Sequence, residues 1–332
     1  MVPTLIPDSQ RRSLDEIVER LDLSTGDAKA KQSAFWIMLT LSGVIAVSGV
    51  VADSTATVIG AMIVAPLSTP ILGIGLGIVT ARGRLILTSL GYVLAGVVLV
   101  TVLGVVVAQL LPNPTNVLAN SQVLGRTSPT LVDLLAALAT GLVGAIAITR
   151  RDVGDVLPGV AIAISLVPPL GVVGVCLGSG APSLALGAFV LFASNVVAMI
   201  ITGIVVLTLA GYHREAAEAE TTGTGTRPHR TRSYLVLAIA LVVVAVPMVL
   251  NSLSSLWSRQ IASATDSWLS DAGLTSAEVT NVQWSGDKVT VSVLAPPDLP
   301  SVDDLQHTVD DLVPWDPQIV VVHTVGAREA AN

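Results

Sequence analysis

The chain has 332 residues, 52% of them hydrophobic and only 12% charged, with a mean hydropathy of +0.76 and a net charge of −7. A soluble domain averages about 25% charged residues, so this composition excludes a wholly water-solvated fold and points to a chain solvated largely by lipid. The acidic balance argues against nucleic acid and anionic headgroups as partners, and a single cysteine, Cys176, excludes an intrachain disulfide.

Residues 1–32 are charged throughout and carry no secretory signal pattern. Within them SLDEIVERLDL at 13–23 reads as a short amphipathic helix. Ser13 and Glu16 have capping-box spacing, and Leu14, Ile17, Val18 and Leu21 share one face. That face either packs on the protein's own membrane body or serves a gating or partner-binding role.

Seven runs are long and apolar enough to cross a bilayer as helices, which takes about 20 residues. They are 33–52, 57–80, 85–111, 131–149, 155–177, 183–211 and 234–252. The first six fall into two segments, 33–111 and 131–211. Residues 34–107 align with 133–206 without a gap, at an offset of 99. Asp53 matches Asp152, Gly60 matches Gly159, Leu67 matches Leu166, Pro70 matches Pro169, Gly75 matches Gly174 and Gly104 matches Gly203. Three spans per copy force the second copy to run inverted with respect to the first. Inverted repeats meeting at broken helices are the architecture of many secondary transporters.

The second span reads IGAMIVAPLSTPILGIGLGIV and the fifth LPGVAIAISLVPPLGVVGVCLG. Proline inside a helix removes a hydrogen bond and collides with the preceding turn. The carbonyls freed in lipid need protein or water partners. Pro66, Ser68, Thr69 and Pro70 mark the first break; Ser165, Pro168 and Pro169 mark the second. One such break is an ordinary packing kink. Two at equivalent positions of a repeat point to a substrate or ion pathway where the copies cross near the bilayer midplane. Gly73, Gly75, Gly77, Gly171 and Gly174 allow close helix approach.

Other polar groups inside the spans are few. Asn195 lies deep in span six, aligned with Gly96, and reads either as interhelical glue or as a pathway group. Asp53 and Asp152 sit at span ends on opposite faces, as helix caps or as pathway mouths. No Asp, Glu, Lys, Arg or His occupies a mid-span position, which disfavours a proton relay through a membrane carboxylate. Backbone carbonyls and hydroxyls remain able to hold a cation, and half-helix amino termini an anion.

Residues 212–233 read as a cytoplasmic linker, with TTGTGT at 221–226. The span at 234–252 has no counterpart in the repeat. Beyond it, 253–332 read as a small α+β domain of order αββαβ. Leu253, Leu256, Trp257, Ile261, Ala264 and Trp268 form a helical stripe. Gly286-Asp287 supplies a two-residue hairpin turn that sets Trp284 opposite Val289 and Val282 opposite Val291. Ser301 and Asp304 start a helix carrying Leu305, Val309 and Leu312, and a last strand runs from Gln318 to Val325. At about 80 residues this domain is near the lower limit for a self-sufficient core.

Basic residues orient the spans. Lys29 and Lys31, Arg82 and Arg84, Arg150 and Arg151, and Arg214, Arg227, Arg230 and Arg232 all fall on one side of a seven-span layout. That side is cytoplasmic, which puts the amino terminus inside and the carboxyl-terminal domain outside a cell membrane. Arginine greatly outnumbers lysine, a weak sign of a prokaryote. The four histidines lack metal-ligand spacing, and neither a nucleophile elbow nor a phosphate loop is present. No enzyme, cofactor or metal is expected.

The segment STATVIGAMIVAPLSTPILGIGLGIVTARGRL at 54–85 resembles the signature of a prokaryotic membrane family, domain-of-unknown-function family 389. The resemblance continues through DVLPGVAIAISLVPPLGVVG at 155–174 and covers about 33–210. It implies an integral membrane protein and brings no substrate or mechanism. The expectation is therefore an all-α polytopic membrane protein with two inverted three-helix repeats, plus the small extracytoplasmic domain. Its expected role is transport of a small solute or ion, as carrier or channel. The alternative is a membrane-anchored sensor or scaffold acting through the outer domain. A homo-oligomer, a dimer first, is the expected assembly.

Overall fold

The computed structural model describes residues 6–7, 9–154, 166–220, 230–274, 277–285, 288–313 and 317–326. It divides into two compact units, Met1–Met248 and Val249–Asn332. Ser165, Asp155, Gly159, the first part of span five, the TTGTGT run and the Gly286-Asp287 turn lie outside the described residues.

The first unit is helical. Ser13 and Glu16 form the expected capping box and start α1, Leu14–Leu21. Asp27 caps α2, Ala28–Val51, and Ser54 caps α3, Thr55–Val64. Next come α4, Ser68–Thr80, and α5, Gly83–Leu110. A short 3₁₀ helix, Pro114–Ala119, and α6, Ser121–Thr127, connect to α7, Leu131–Thr149, which Thr130 and Asp133 cap reciprocally. One turn of helix, α8, covers Arg151–Gly154. Then α9 spans Val167–Gly178, α10 Pro182–Leu209, α11 Tyr212–Glu220 and α12 Arg230–Asp271.

Among the described residues five helices are long and apolar enough to cross a membrane, and six if the bent pair α3 and α4 counts as one span. These helices turn large apolar side chains outward: Leu87 is 71% exposed, Val132 74% and Leu110 78%. Fully burying one such side chain is worth about 1.5–3 kcal/mol, so a belt of them requires lipid as solvent. The protein is a multi-pass membrane protein in contact with the bilayer.

The break in the second span is sharp, with α3 and α4 meeting at 47°. Its cause is Pro66. The residue before a proline avoids helical backbone, and Ala65 takes an extended conformation, φ −67 and ψ 122. Pro70 falls in the first turn of α4, where a missing N–H costs no intrahelical bond. Pro168 and Pro169 likewise lie in the first turn of α9, so they start a helix there.

A continuous buried cluster lies at the centre of this unit. It joins Leu67, Ile71 and Leu72 from the first break and α4 to Leu166, Val167 and Leu170 from the start of α9, with Leu39, Phe192 and Met199 between. Phe35, Trp36 and Tyr92 add an aromatic group, with centroids 5.0–5.9 Å apart.

The helix α12 is one element of 42 residues with Pro247 inside it. It covers both the last predicted span and the helical stripe that the sequence suggested as separate segments. In the second unit its buried positions are Ile261, Thr265 and Leu269, while Leu256 is 52% exposed. Of the stripe read off the sequence, Ile261 lies in this core and Trp257 and Trp268 pack against it, whereas Leu256 does not.

The sheet order is β1 (Glu278–Ser285), β2 (Lys288–Ala295), β3 (Gln318–Val325), with α13, Val302–Asp310, crossing between the last two. β1 and β2 are antiparallel with Val282 opposite Val291 and Trp284 opposite Val289, the expected register; β2 and β3 are parallel. Val289, Val291, Val293 and Ala295 alternate inward against Ile261, Leu269, Leu305 and Val309. Leu312 lies beyond the end of α13 and is 37% exposed.

Candidate functional site

At the first break Ser68 and Pro70 are buried, while Pro66 and Thr69 are half-buried. Pro66 and Thr69 border a cavity of about 640 Å³. Val64, Phe35 and Met38 supply its apolar wall. Beside Leu23 and Ala34, the rest of the wall is charged with both signs: Arg12, Glu16, Glu19, Arg20 and Lys31. No pattern in the sequence tied those charges to the break, because only tertiary packing lays α1 across α4. Leu14, Ile17 and Leu21 belong to the same buried cluster as Leu67 and Ile71, and the Leu21 carbonyl approaches Gly73. The capping box and amphipathic face revealed the helix; its docking place had no local signal.

At the start of α9 Pro168 and Pro169 are buried. Leu166 and Leu67, the residues matched by the repeat, share the central cluster with them close by. Asn195 is 4% exposed on α10, within the packed body. At the matched position on α5, Gly96 makes room for Leu67: a Cβ there would sit 2.9 Å from the Leu67 Cδ2 atom.

Glycines set the helix crossings. A Cβ on Gly104 of α5 would lie 2.8 Å from the Gly171 oxygen and 2.8 Å from Gly174 Cα on α9. A Cβ on Gly75 of α4 would meet Ile200 O at 3.5 Å and Gly203 C at 3.9 Å on α10. Under the offset of 99 these two contacts exchange, since Gly75 maps to Gly174 and Gly104 to Gly203.

The aspartates at the span ends are far apart. The 24-residue α2 is about 36 Å long at 1.5 Å per residue. Its first turn lies at the α1 end, where Lys31 donates to the Glu19 and Thr25 carbonyls. Asp53 follows its last turn and accepts from Ser121 Oγ at 2.7 Å and Gln122 N at 3.1 Å. The Ser121 hydroxyl, more than any other group, holds the Asp53 carboxyl below its ordinary value. Asp152 pairs with Arg150 at 2.6 Å, which lowers its carboxyl and raises the guanidinium. The backbone at Arg150 forms an antiparallel β-bridge with that at Arg11, through Arg12 N to the Thr149 carbonyl and Arg151 N to the Gln10 carbonyl.

The α1 end is also closed by a network the sequence did not show. Arg11 donates to the Ala210 carbonyl at 2.8 Å, pairs with Glu215 at 2.7 Å and stacks 4.1 Å over the Tyr212 ring. Tyr212 donates to the Arg12 carbonyl at 2.7 Å. Burial pushes the Tyr212 phenol up to about 12, so it stays a donor at neutral pH. Arg151 reaches Glu16 at 2.9 Å.

Among the described residues no group of three or more His, Cys, Asp or Glu is placed to hold a metal ion. In the second unit a separate cavity of about 740 Å³ lies between α12 and α13, lined by Gln260, Ser267, Trp268, Asp271, Asp304 and Thr308 among others.

An uncharacterised protein of Methanocaldococcus jannaschii is 32% identical over 175 residues, 53% of this chain and 53% of that protein. The chain thus spans about half the length of the curated relative it matches. No solved structure matches it. Residues 62–201, from the first half-helix through most of α10, match the model of the family described as Domain of unknown function (DUF389), the family its two proline-bearing segments resemble.

Proposed function

We propose that the membrane unit is a carrier or channel for a small solute or ion, built from two inverted three-helix repeats that cross at the broken helices. The observation that carries this reading is the reciprocal glycine contact. Gly75 packs on α10 beside Gly203 while Gly174 packs on α5 beside Gly104, and exchanging the two repeats converts one contact into the other. Two-fold pseudosymmetry of this kind is what an inverted pair produces. The cavity at Pro66 and Thr69 supplies a vestibule on the α1 side. In this reading Ser68, Thr69, Pro168, Pro169 and Asn195 lie along the pathway, with Asp53 and Asp152 near its mouths and Ser165 on the second break.

The layout goes with seven spans, an amino terminus in the cytoplasm, a carboxyl-terminal unit outside, no catalytic activity, no cofactor and a homo-oligomeric, dimer-first assembly. Nucleic acid is not a partner in it.

Flux from proteoliposomes tests the reading. Pro70→Ala and Pro169→Ala are each expected to slow efflux from vesicles loaded with a panel of inorganic ions and small metabolites. Unchanged flux in both would sink the crossing as the pathway. A second reading, a sensor or scaffold acting through the second unit, draws support from its own packed core and the cavity beside Trp268. Removing residues 234–332 separates the two, because a transporter retains flux without them and a sensor loses its response.

A further inference from the structure

The 99-residue offset also brings together two helical segments that lie upstream of the paired spans. Shifted by 99, α1 falls on residues 113–120, where the short 3₁₀ helix Pro114–Ala119 lies. The contacts follow the same correspondence. α1 packs on α4, the half-helix after the first break. The 3₁₀ helix and α6 pack on α9, whose first turn holds Pro168 and Pro169, and α6 packs more extensively on α10.

Each of these segments also clips onto the other repeat, at acceptor carbonyls that match under the offset though the donors, Arg12 and Asn120, do not correspond. Arg12 N donates to the Thr149 carbonyl at 2.9 Å, at the end of α7. Asn120 Nδ2 donates to the Val50 carbonyl at 2.6 Å, near the end of α2. Val50 and Thr149 are 99 residues apart. Side-chain bonds reinforce each clip: Arg151 to Glu16 on the α1 face, and Ser121 and Gln122 to Asp53 on the opposite face.

The anchors at the far ends match as well. The second segment follows α5 directly through the peptide chain at Leu111. The first segment has no such peptide link to α10, and Arg11 replaces it with its bonds to Ala210 and Glu215. Position 210 is the 99-residue counterpart of 111. Hydrogen bonds thus do at one end what covalent connectivity does at the other.

We infer that residues 9–22 and 113–127, which overlap under the offset over 14–22 and 113–121, act as two analogous straps, one on each membrane face, each lying at the start of one repeat and fastened to the other. Each strap holds shut the face it crosses, and loosening one favours the conformation open at that face at the expense of the opposite one. This deepens the transport reading and rests on it for the alternation between the two faces, though the coupling between straps is measurable without a transported solute.

The test uses the full chain in detergent micelles, with Cys176→Ala to remove the native thiol and Thr69→Cys as a reporter in the cavity under the first strap. The readout is the rate of alkylation by a bulky, charged maleimide. Arg11→Gln with Arg151→Gln loosens the first strap and is expected to raise the rate about threefold to tenfold, the effect of losing about one net hydrogen bond. Asp53→Asn with Asn120→Ala loosens the second strap and is expected to lower the rate by a similar factor. All four substitutions together are expected to return it to within about twofold of the parent, the usual margin for independent effects that add. Variants that merely loosen the fold would all raise the rate and compound when combined, and that result overturns the proposal, as does no change in either pair. Opposed shifts in a protein that moves no solute would refute the transport reading and leave the straps standing.

Discussion

Gly75 and Gly174 are equivalent in the repeat, yet the structure gives them different room, and alanine at each measures that difference. At Gly75 a Cβ meets Ile200 O at 3.5 Å, Ile204 N at 3.7 Å and Gly203 C at 3.9 Å, all ordinary contacts. At Gly174 a Cβ would lie 2.7 Å from Gly104 Cα and 3.0 Å from Val105 N, with the Thr101 carbonyl closer still. Those are backbone atoms on a 28-residue helix, so no side-chain rotation relieves them and α5 and α9 must separate. Replacing a helical glycine by alanine gains about 0.5–1 kcal/mol when it fits, whereas overpacking costs about 1–3 kcal/mol. Gly75→Ala is therefore expected to be neutral or slightly stabilising, and Gly174→Ala destabilising by about 1–3 kcal/mol. Denaturant or steric-trap unfolding in a fixed detergent measures both. Equal stability of the two variants would refute the crossing geometry from which the inverted arrangement is argued.

Other outcomes follow from single contacts. Ile261→Ala empties a fully buried position in the second unit and is expected to cost about 2–5 kcal/mol, read as loss of the β-sheet circular-dichroism signal while the membrane unit stays folded. Tyr212→Phe removes the buried donor to the Arg12 carbonyl and is expected to cost about 1–3 kcal/mol, seen as faster proteolysis near residues 9–22. Ala81 ends α4 in the left-handed region at φ 63, where alanine is strained and glycine is not. Ala81→Gly is therefore expected to raise the unfolding midpoint by the equivalent of about 1 kcal/mol. The Glu16 carboxyl is held below its ordinary 4.5, first by the Ser13 backbone N–H and then by Arg151, and Asp53 below its ordinary 3.8, first by the Ser121 hydroxyl. A carboxylate with a lowered folded-state value stabilises above its unfolded value and stops doing so as pH falls through the folded one. Both straps should therefore loosen as pH drops from about 4.5 downward, and Asp53→Asn should flatten the acid limb of a melting-temperature profile.

Much of the membrane unit was legible because lipid imposes simple rules. A helix must be long and apolar to cross, so α2, α5, α7 and α10 coincide with predicted spans to within a few residues at most of their ends. Pro66 announced a break since its ring and missing N–H act on the chain locally. The hairpin register of the second unit was equally local, as a two-residue turn dictates which residues face each other. The exposure of Leu256 and the burial of Thr265 on α12 were not, because only the sheet's position decides which side of the helix is covered.

What packs on a break is likewise a long-range matter. Ser13 and Glu16 specify the start of α1 through bonds within four residues, and so could be read directly. That α1 lies over Pro66 and Thr69, and that Arg11 meets Glu215 across a separation of 204 residues, depends on contacts with no trace in local spacing. The sequence by itself determined that the chain lives in lipid and where its second span bends, because hydropathy and proline act locally, and it offered the 99-residue offset between its halves. Only the tertiary structure decided which glycines touch, which charges border the cavity and how each face is held, because those are decided by which helices pack together.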